Sequence, residues 1–551
     1  MNMYGQVQSR MVKYSHIWSS TVMYDHVWSS TARYGQVQPN VHGFIFMRPT
    51  DEQEVSNIIS GLKNSSPGHD EINVKIIKSV LTNILSPLTH ICNLSLANGT
   101  IPSELKIAKV IPIFKKGPKD KFSNYRPVSV LPAFSKILEK LVYDRLINFL
   151  DKNNILHDNQ FGFRKNRSTC LALSTLVNTF HKTIERDDLM VGLFIDLSRA
   201  FETISHEILL KKLNMYGIRG TALNWISNYL TDRKQFVMYN SEKSNMGNVG
   251  IGVPQGSILG PLLFLLYIND LPNVSDKLSF IQYADDTNIF VTGKSLEEIC
   301  ITINSEMSLV SEWLKNNKLS LNLTKTNYMI MSSPRKKFEN PDICIDGNIL
   351  ERVTVTKFLG VMLDEKLLWK SHIEYILTKL AKSIGILVRA RRILDQNALS
   401  TLYNSLILPY FIYCIIIWGN TYKTYRQRLH VMQKKIIRII SHSEYNAHTE
   451  PLFRKLKILT FYQLYDYFTG IFIYKSLNGL LPRIFHNIFV PNRTSRNRLD
   501  LRPGFCTRKT SEFTIRITGP KIWNKLSKNI KLSKSINSFK YKLKRELLMS
   551  R

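Results

Sequence analysis

The stretch FIQYADDTNIF, residues 280–290, decides how this chain is read. Two short apolar strands, FIQYA (280–284) and TNIF (287–290), flank Asp285–Asp286, which reads as the two-residue tip of a β-hairpin. Such tips favour Asn-Gly or Asp-Gly, and adjacent carboxylates repel, so an Asp pair there needs another reason. Upstream, MVGLFID (190–196) reads as a buried strand ending on a third carboxylate, Asp196. If these strands are neighbours, the carboxylates converge and require a cation. Hard oxygen donors select Mg²⁺ or Mn²⁺ over zinc, and a pair of such ions suits in-line phosphoryl transfer. Solvated turn aspartates are the plain alternative for the Asp pair taken alone.

Working outward, GVPQG (252–256) is a turn-rich lead into an apolar helix, Ser257–Ile268. A helix over Leu296–Lys315 follows the hairpin, then strands at LSLN (319–322), TNYMIM (326–331) and VTKFLGVML (355–363). From Trp369 onward the pattern is mainly helical. On the N-terminal side, helical periodicity starts at Asp51, with Val55, Ile58, Ile59 and Leu62 on one face. The loop SSPGHDEI (65–72) and apolar helices to about Ala97 come next. KVIPIFKKG (109–117) reads as a strand entering a basic turn, and Phe134–Leu150 as an amphipathic helix with Ile137, Leu138, Leu141, Val142 and Leu146 inward. The loop QFGFRKNRS (160–168) carries three cations and two aromatics. Strands and helices mix without strict alternation, so the fold class is α+β.

The 551 residues are 44% hydrophobic and 11% aromatic, enough for a large core and several domains, which excludes a wholly disordered basic protein. Six scattered cysteines with no CxxC spacing exclude a disulfide-stapled secreted fold and a cysteine-rich zinc module. No signal peptide opens the chain, and the longest apolar runs, Ile258–Ile268 and Leu406–Trp418, fall short of the roughly 20 residues of a spanning helix. A soluble, intracellular protein with no membrane partner is expected. Lys+Arg number 75 against 42 Asp+Glu, a net +33. From Thr421 to Arg551 there are 28 cations against 6 carboxylates, a surplus of 22, so about a quarter of the chain holds two-thirds of the excess. That block calls for a polyanion, most simply nucleic acid. Residues 3–42 are ten-residue repeats with Tyr4, Tyr14, Tyr24 and Tyr34 in register. They match no familiar solenoid, read best as translated tandem-repeat DNA, and are expected to be disordered.

Taken together, these motifs resemble a family. YADD (283–286) looks like the signature of reverse transcriptases, GVPQGSILGPLLFLLYINDLP (252–272) like their template- and nucleotide-contacting motif, and FIDLSRAF (194–201) like the strand with the first metal aspartate. NYRPVSVLPAFSKILEKLVYDRL (124–146) and QFGFRKNRST (160–169) are similar to the fingers motifs of non-LTR retrotransposon polymerases of the jockey type. LSLNLTKTNYMIM (319–331) and KFLGVMLD (357–364) resemble the next two palm motifs in order.

The resemblance implies a right-hand polymerase: N-terminal extension and fingers over 43–189, a ferredoxin-like palm over 190–368, a helical thumb over 369–430, and a basic, mainly helical nucleic-acid-binding region over 431–551. The reverse transcriptase domain itself is expected at about 95–363. The resemblance further implies two Mg²⁺ ions, replaceable by Mn²⁺, on Asp196, Asp285 and the less directly bound Asp286, with the Leu197 carbonyl as a further ligand. Phe201 matches the gate that excludes a ribose 2′-hydroxyl, Gln255 and Gly256 the turn along template and incoming nucleotide, and Lys325 a proton donor to pyrophosphate. Arg126 and Lys115 would bind nucleotide, with Lys109, Lys116 and Arg164 as further phosphate or template contacts. Lys357, Phe358, Leu359 and Gly360 match the primer grip. The implied partners are an RNA template, a DNA primer or target and deoxynucleoside triphosphates, in a nuclear and cytoplasmic ribonucleoprotein.

Departures are equally specific. AFETISH carries Glu202 and Ser205 where family members commonly show AFD and Asp-His, and SSPGHDEI departs at His69 and Glu71. The residues ahead of Phe44 are too few for the endonuclease that precedes such polymerases, a unit on the order of 200 residues, so the chain is read as lacking it. An inactive element product that only binds RNA, or a polymerase like the group II intron maturases, are the alternatives. The intact aspartates and the strings NYRPVSVLP and PLLFLLYINDLP favour the active retrotransposon enzyme.

Overall fold

The structure, a computed structural model, describes residues 45–333, 336, 338–492, 499–508 and 511–549. The ten-residue repeats lie outside the described residues. In chain order come helices α1 (Glu52–Gly61), α2 (Val74–Ser79) and α3 (Leu81–Asn98), then strands β1 (Ile107–Phe114) and β2 (Tyr125–Val130). Helices α4 (Ala133–Lys152) and α5 (Thr169–Glu185) precede strand β3 (Leu189–Ile195). Helices α6 (His206–Met215) and α7 (Thr221–Leu230), strands β4 (Arg233–Tyr239), β5 (Glu242–Lys243) and β6 (Gly247–Val249), and helix α8 (Gly260–Tyr267) follow. Next are β7 (Ser279–Tyr283), β8 (Asp286–Gly293), α9 (Leu296–Asn316), β9 (Asn327–Met331), the two-residue strands β10 (Cys344–Ile345), β11 (Asn348–Ile349) and β12 (Glu351–Arg352), then β13 (Val355–Phe358) and β14 (Val361–Asp364). The remainder is mainly helical: α10 (Lys370–Ala390), α11 (Gln396–Leu406), α12 (Leu408–Ile412), α13 (Ile415–Trp418), α14 (Lys423–Ile440), α15 (Thr449–Lys455), α16 (Phe461–Leu477), α17 (Ile515–Asn524), α18 (Lys528–Lys531) and α19 (Ile536–Met549). No helix among the described residues is long and apolar enough to cross a membrane.

The chain divides into two units, each drawn from separate stretches. Residues up to Phe163, Leu197–Asp276 and Glu306–Asn322 form one; Arg164–Asp196, Lys277–Ser305 and the chain from Leu323 form the other. In the first, β2, β1, β4 and β5 lie side by side, with β6 also on β4. β1 pairs antiparallel with β2 and parallel with β4. Helix α8 is apolar on all sides and its residues from Leu262 to Tyr267 are buried, as such a sequence requires. Its exit is fixed by a buried ion pair. Lys212 Nζ on α6 lies 2.6 Å from Asp270 Oδ1, and Trp313 Nε1 donates to the other carboxylate oxygen at 3.2 Å.

In the second unit the sheet order is β12-β9-β3-β8-β7, with β3 at its centre and all seven of its residues buried. A strand covered on both faces reads as a continuous apolar run, which LMVGLFI is. Beyond the sheet, helix α16 starts with a reciprocal capping box, Thr460 and Gln463 satisfying each other's backbone N–H groups. It packs on α17 and α19, where Tyr474 and Phe539 stack at 4.5 Å.

Four local expectations are corrected. Asp286 belongs to β8, so the hairpin loop is Ala284–Asp285 rather than Asp285–Asp286. The pairing of Tyr283 with Asp286 keeps β8 in step with β3, and that ladder extends the strand by one residue. LSLN is no strand; Leu321 makes a single bridge to Leu197, and the chain turns away at 323–325 before it can extend a ladder. Ser257–Leu259 stay outside α8, because Ser257 Oγ turns back to cap Gly260 N at 2.9 Å. VTKFLGVML is a hairpin, β13 and β14, turning at Leu359–Gly360, both with positive φ as a type I′ loop demands. The expected division at 430/431 falls inside α14, and that at 189/190 inside β3.

Candidate active site

β3 carries no charge for seven residues and then meets Asp196, whose side chain is 38% exposed. The β3–β8 ladder runs from Leu189↔Gly293 to Ile195↔Thr287. One further step sets Asp196 beside Asp286, at the roughly 5 Å spacing of neighbouring strands. Directly opposed residues share a face, so Asp286 is on the side of Asp196, while Asp285 sits in the turn where alternation lapses. Ala284 has φ 56°, the positive value that the first loop residue of a primed turn takes. Asn288 is fully buried and donates to Leu193 O at 2.8 Å, stitching the hairpin to β3. The YADD hairpin and the end of β3 are thus held as one rigid edge.

Lys325 joins this edge. Its Nζ lies 2.9 Å from Asp196 Oδ2, both side chains being partly exposed, and Thr326 Oγ1 accepts from Asp196 N at 3.5 Å. The sequence placed Lys325 in the next motif; the structure places its charge on the first aspartate. Among the described residues no three His, Cys, Asp or Glu side chains are gathered closely enough to hold an ion. The donor chemistry still fits a hard divalent cation, since carboxylate oxygens are what such ions take, and Asp196 already accepts a cationic partner.

The stretch after Asp196 and the GVPQG motif lie in the first unit. The stretch from Phe201 to Ile204 runs against the GVPQG turn: Gly252 N donates to Ile204 O at 2.8 Å and Val253 N to Phe201 O at 3.0 Å. His206 Nε2 lies 2.7 Å from Gly252 O, and burial is the main cause that lowers its pKa. Gln255 O accepts from Ser129 N at 2.7 Å, and a Cβ on Gly256 would stand 2.5 Å from Ser129 O, so that position takes only glycine. Phe201 is half-buried, stacked on Phe264 at 4.4 Å and edge-on to Phe163 at 6.3 Å. Leu197 is buried and bridged to Leu321.

The two departures in AFETISH find partners. Glu202 Oε1 accepts from Gln255 Nε2 at 3.1 Å. Ser205 precedes α6, and its N–H donates to Tyr267 Oη at 3.3 Å.

Back in the second unit, Lys357 and Gly360 are exposed while Phe358 and Leu359 are buried. Tyr413 Oη donates to Leu359 O at 2.8 Å, and a Cβ on Gly360 would meet the Tyr413 ring at 3.1 Å. Tyr413 was not singled out from sequence, and nothing in its local pattern marks it. Lys115, Lys116 and Arg126 are exposed at the turn end of the β1–β2 hairpin, Lys109 is half-buried further along β1, and Arg164 is half-buried in the other unit.

Glu139 also escaped notice. It is buried on α4 and accepts from Ile258 N at 2.5 Å and Leu259 N at 3.3 Å, just past the Gln255–Gly256 turn.

Comparison with known proteins agrees with the motifs. Residues 113–363 match the family "Reverse transcriptase (RNA-dependent DNA polymerase)", inside the span of about 95–363 expected from sequence. The chain is 28% identical over 421 residues to the probable RNA-directed DNA polymerase from transposon X-element of Drosophila melanogaster, covering 75% of this chain and 46% of that protein. It is 28% identical over 420 residues to the RNA-directed DNA polymerase from mobile element jockey of the same species, covering 74% and 45%. The jockey polymerase of Drosophila funebris matches at 27% over 424 residues, covering 74% and 46%. The chain thus spans a little under half the length of these relatives. The reverse transcriptase match thus covers residues 113–363, a little under half of this chain.

Proposed function

We propose that the chain is an RNA-directed DNA polymerase of a non-LTR retrotransposon, extending a primer 3′-hydroxyl with deoxynucleotides on an RNA template. The observation that carries this is the edge formed by Asp196 and the YADD hairpin, held in register by the β3–β8 ladder. In this reading the β3-centred sheet is the palm, the β1–β2–β4 sheet the fingers, and the helices from α10 the thumb and a basic C-terminal region. Two Mg²⁺ ions on Asp196, Asp285 and Asp286, with the Leu197 carbonyl as a further ligand, would supply Lewis acidity to the primer hydroxyl and the triphosphate, and Mn²⁺ would serve in their place.

The chain's own residues do the rest. Lys325 holds a proton at Nζ beside Asp196 and is suited to hand it to the leaving pyrophosphate. Phe201, braced by Phe264, presents a rigid aromatic face against a 2′-hydroxyl. Gln255 and Gly256 expose a turn along template and nucleotide, Arg126 and Lys115 attract the triphosphate, and Lys357–Gly360 brings a tight backbone turn to the primer end. A ribonucleoprotein of nucleus and cytoplasm is the setting such a reaction implies.

Primer extension on a homopolymeric RNA template with Mg²⁺ tests the proposal. Synthesis of complementary DNA supports it. RNA binding without extension would instead identify an inactive element product.

A further inference from the structure

Glu139 is a charged group where charge is expensive. Its side chain is wholly buried on α4, and burial pushes its carboxyl above the ordinary value despite the nearby Arg233 guanidinium. It was spared for a purpose visible in its bonds. Oε2 accepts from the backbone N–H groups of Ile258 and Leu259, at 2.5 and 3.3 Å, and Oε1 from Ser135 Oγ at 3.2 Å. Those N–H groups lie at the start of α8, where donors have no intrahelical partner and the helix dipole favours an anion. Leu259, the N-cap, has no polar side chain to serve them. Ser257 Oγ in the loop caps only Gly260 N, so the N–H groups of Ile258 and Leu259 need another acceptor. The chain supplies it from a buried carboxylate 119 residues away in sequence.

The consequence is mechanical. On one side, Gln255 O is bonded to Ser129 N and Gly256 is pressed against Ser129 O. On the other, Glu139 grips the backbone two residues further on. The Gln255–Gly256 turn, with Gln255 half-buried and Gly256 exposed, is therefore fixed between β2 and α4.

We propose that Glu139 is a positioning residue for nucleotide binding: it holds the Gln255–Gly256 turn in the shape that receives the incoming nucleotide against the template. This rests on the reading of that turn as nucleotide- and template-facing. A residue acting this way changes how substrate is bound more than how fast bound substrate reacts.

The test compares Glu139→Gln, Ser135→Ala and Gln255→Ala with the full chain, in steady-state extension of oligo(dT) on poly(rA), normalised to the active fraction. Glu139→Gln keeps shape and one acceptor oxygen but removes the charge; KM for dTTP is expected to rise about tenfold with kcat within about threefold. Ser135→Ala, which removes only a donor to Oε1, is expected to raise KM about twofold, and it decides the question if Glu139→Gln does not fold. Unchanged KM in the folded variants, with only a lowered thermal midpoint, would overturn the proposal and leave Glu139 a structural cap. If Gln255→Ala raises KM and the other two do not, the positioning role alone falls. If Gln255→Ala leaves KM for both nucleotide and template unchanged, the reading of the turn falls and the proposal with it.

Discussion

Lys325 Nζ stands 2.9 Å from Asp196 Oδ2, tying the end of β3 to the segment before β9, 129 residues later in the chain. Both groups are partly exposed, at 56% and 38%, so the pair contributes at most about 1 kcal/mol to stability. Its significance is where it places charge.

Replacing Asp196 or Asp285 with Asn should reduce primer extension by at least about a thousandfold while leaving RNA affinity intact, because carboxylate charge toward metal is worth several kcal/mol of transition state. Lys325→Met should lower the maximal rate about ten- to a hundredfold, with a thermal midpoint unchanged. Near-normal extension by either aspartate variant would remove these residues from the site.

Phe201→Ala should admit ribonucleotides into the product. Because Phe201, though half-buried, also stacks on Phe264, the variant should lose about 1–2 kcal/mol of stability as well. Alkali treatment of product made from mixed nucleotide pools reads the first effect. Product that resists alkali would count against a gate at this position.

Asp270→Asn should cost about 3–5 kcal/mol in urea unfolding, since it leaves Lys212 buried without its counter-charge. The residue lies in the INDLP string beside the candidate site motifs, yet its bonds are to Lys212 and Trp313, within the core. The fraction that stays folded should therefore retain its KM for nucleotide. A large KM change at constant stability would move Asp270 into the substrate site.

Acid should destabilise the second unit between about pH 6.5 and 4. Burial pushes His181 and His372 down to about 4, the latter helped by Lys357. Both bind a proton more readily when unfolded, so their neutral forms stabilise the fold fully above pH 6.5. That contribution is lost as pH falls, by about 3 kcal/mol each on reaching pH 4. Glu185 acts in the same direction lower down. Burial opposes its charge, but hydrogen bonds from Thr507, Ser511 and Arg508 prevail and hold it at about 2, so its contribution, present above about 4.5, fades below that pH. Urea midpoints at pH 7, 5.5 and 4 measure the decline. His372→Gln should remove roughly half of it between pH 6.5 and 4; an unaltered slope would assign the acid sensitivity elsewhere.

Helix α19 turns Lys544 and Arg545 outward, with Tyr541 70% exposed on the same helix, while Phe539 and Leu543 are buried. If this face takes single-stranded RNA, Lys544→Gln with Arg545→Gln should flatten the log affinity–log salt slope by about 0.7 per lost phosphate contact. Tyr541→Ala should cost about 1–3 kcal/mol of affinity with the slope unchanged, as lost stacking would. Filter binding across a salt series distinguishes these. A slope identical to the parent chain's would make the face ordinary solvated charge.

The carboxylates and their strands were legible in the residues because their signals are short-ranged. An apolar run such as LMVGLFI, closed by Asp196, and a pair of strands around YADD declare themselves within a dozen residues. Helices α1, α4 and α9 were equally plain from periodicity, and their ends agree within a few residues. The exact loop of the hairpin was not legible. Asp286 could belong to tip or strand until β3 supplied a partner ladder, and register is a property of two strands rather than one. The same holds for Leu359–Gly360, where a continuous apolar string conceals a turn that only a bulky residue at positive φ reveals.

By itself, then, the sequence determined the residue types at the candidate site, their order, and the α+β class, since all of these follow from local pattern and from motifs. What only the tertiary structure decided is which polar groups meet. Glu139 finds Ile258 N, Lys212 finds Asp270, Tyr413 finds Leu359 O, and Lys325 finds Asp196. The physical reason is that a buried or clustered polar group is tolerable only beside its partner, and the partner is brought near by chain packing. No spacing rule in one dimension encodes a contact made across 119 residues.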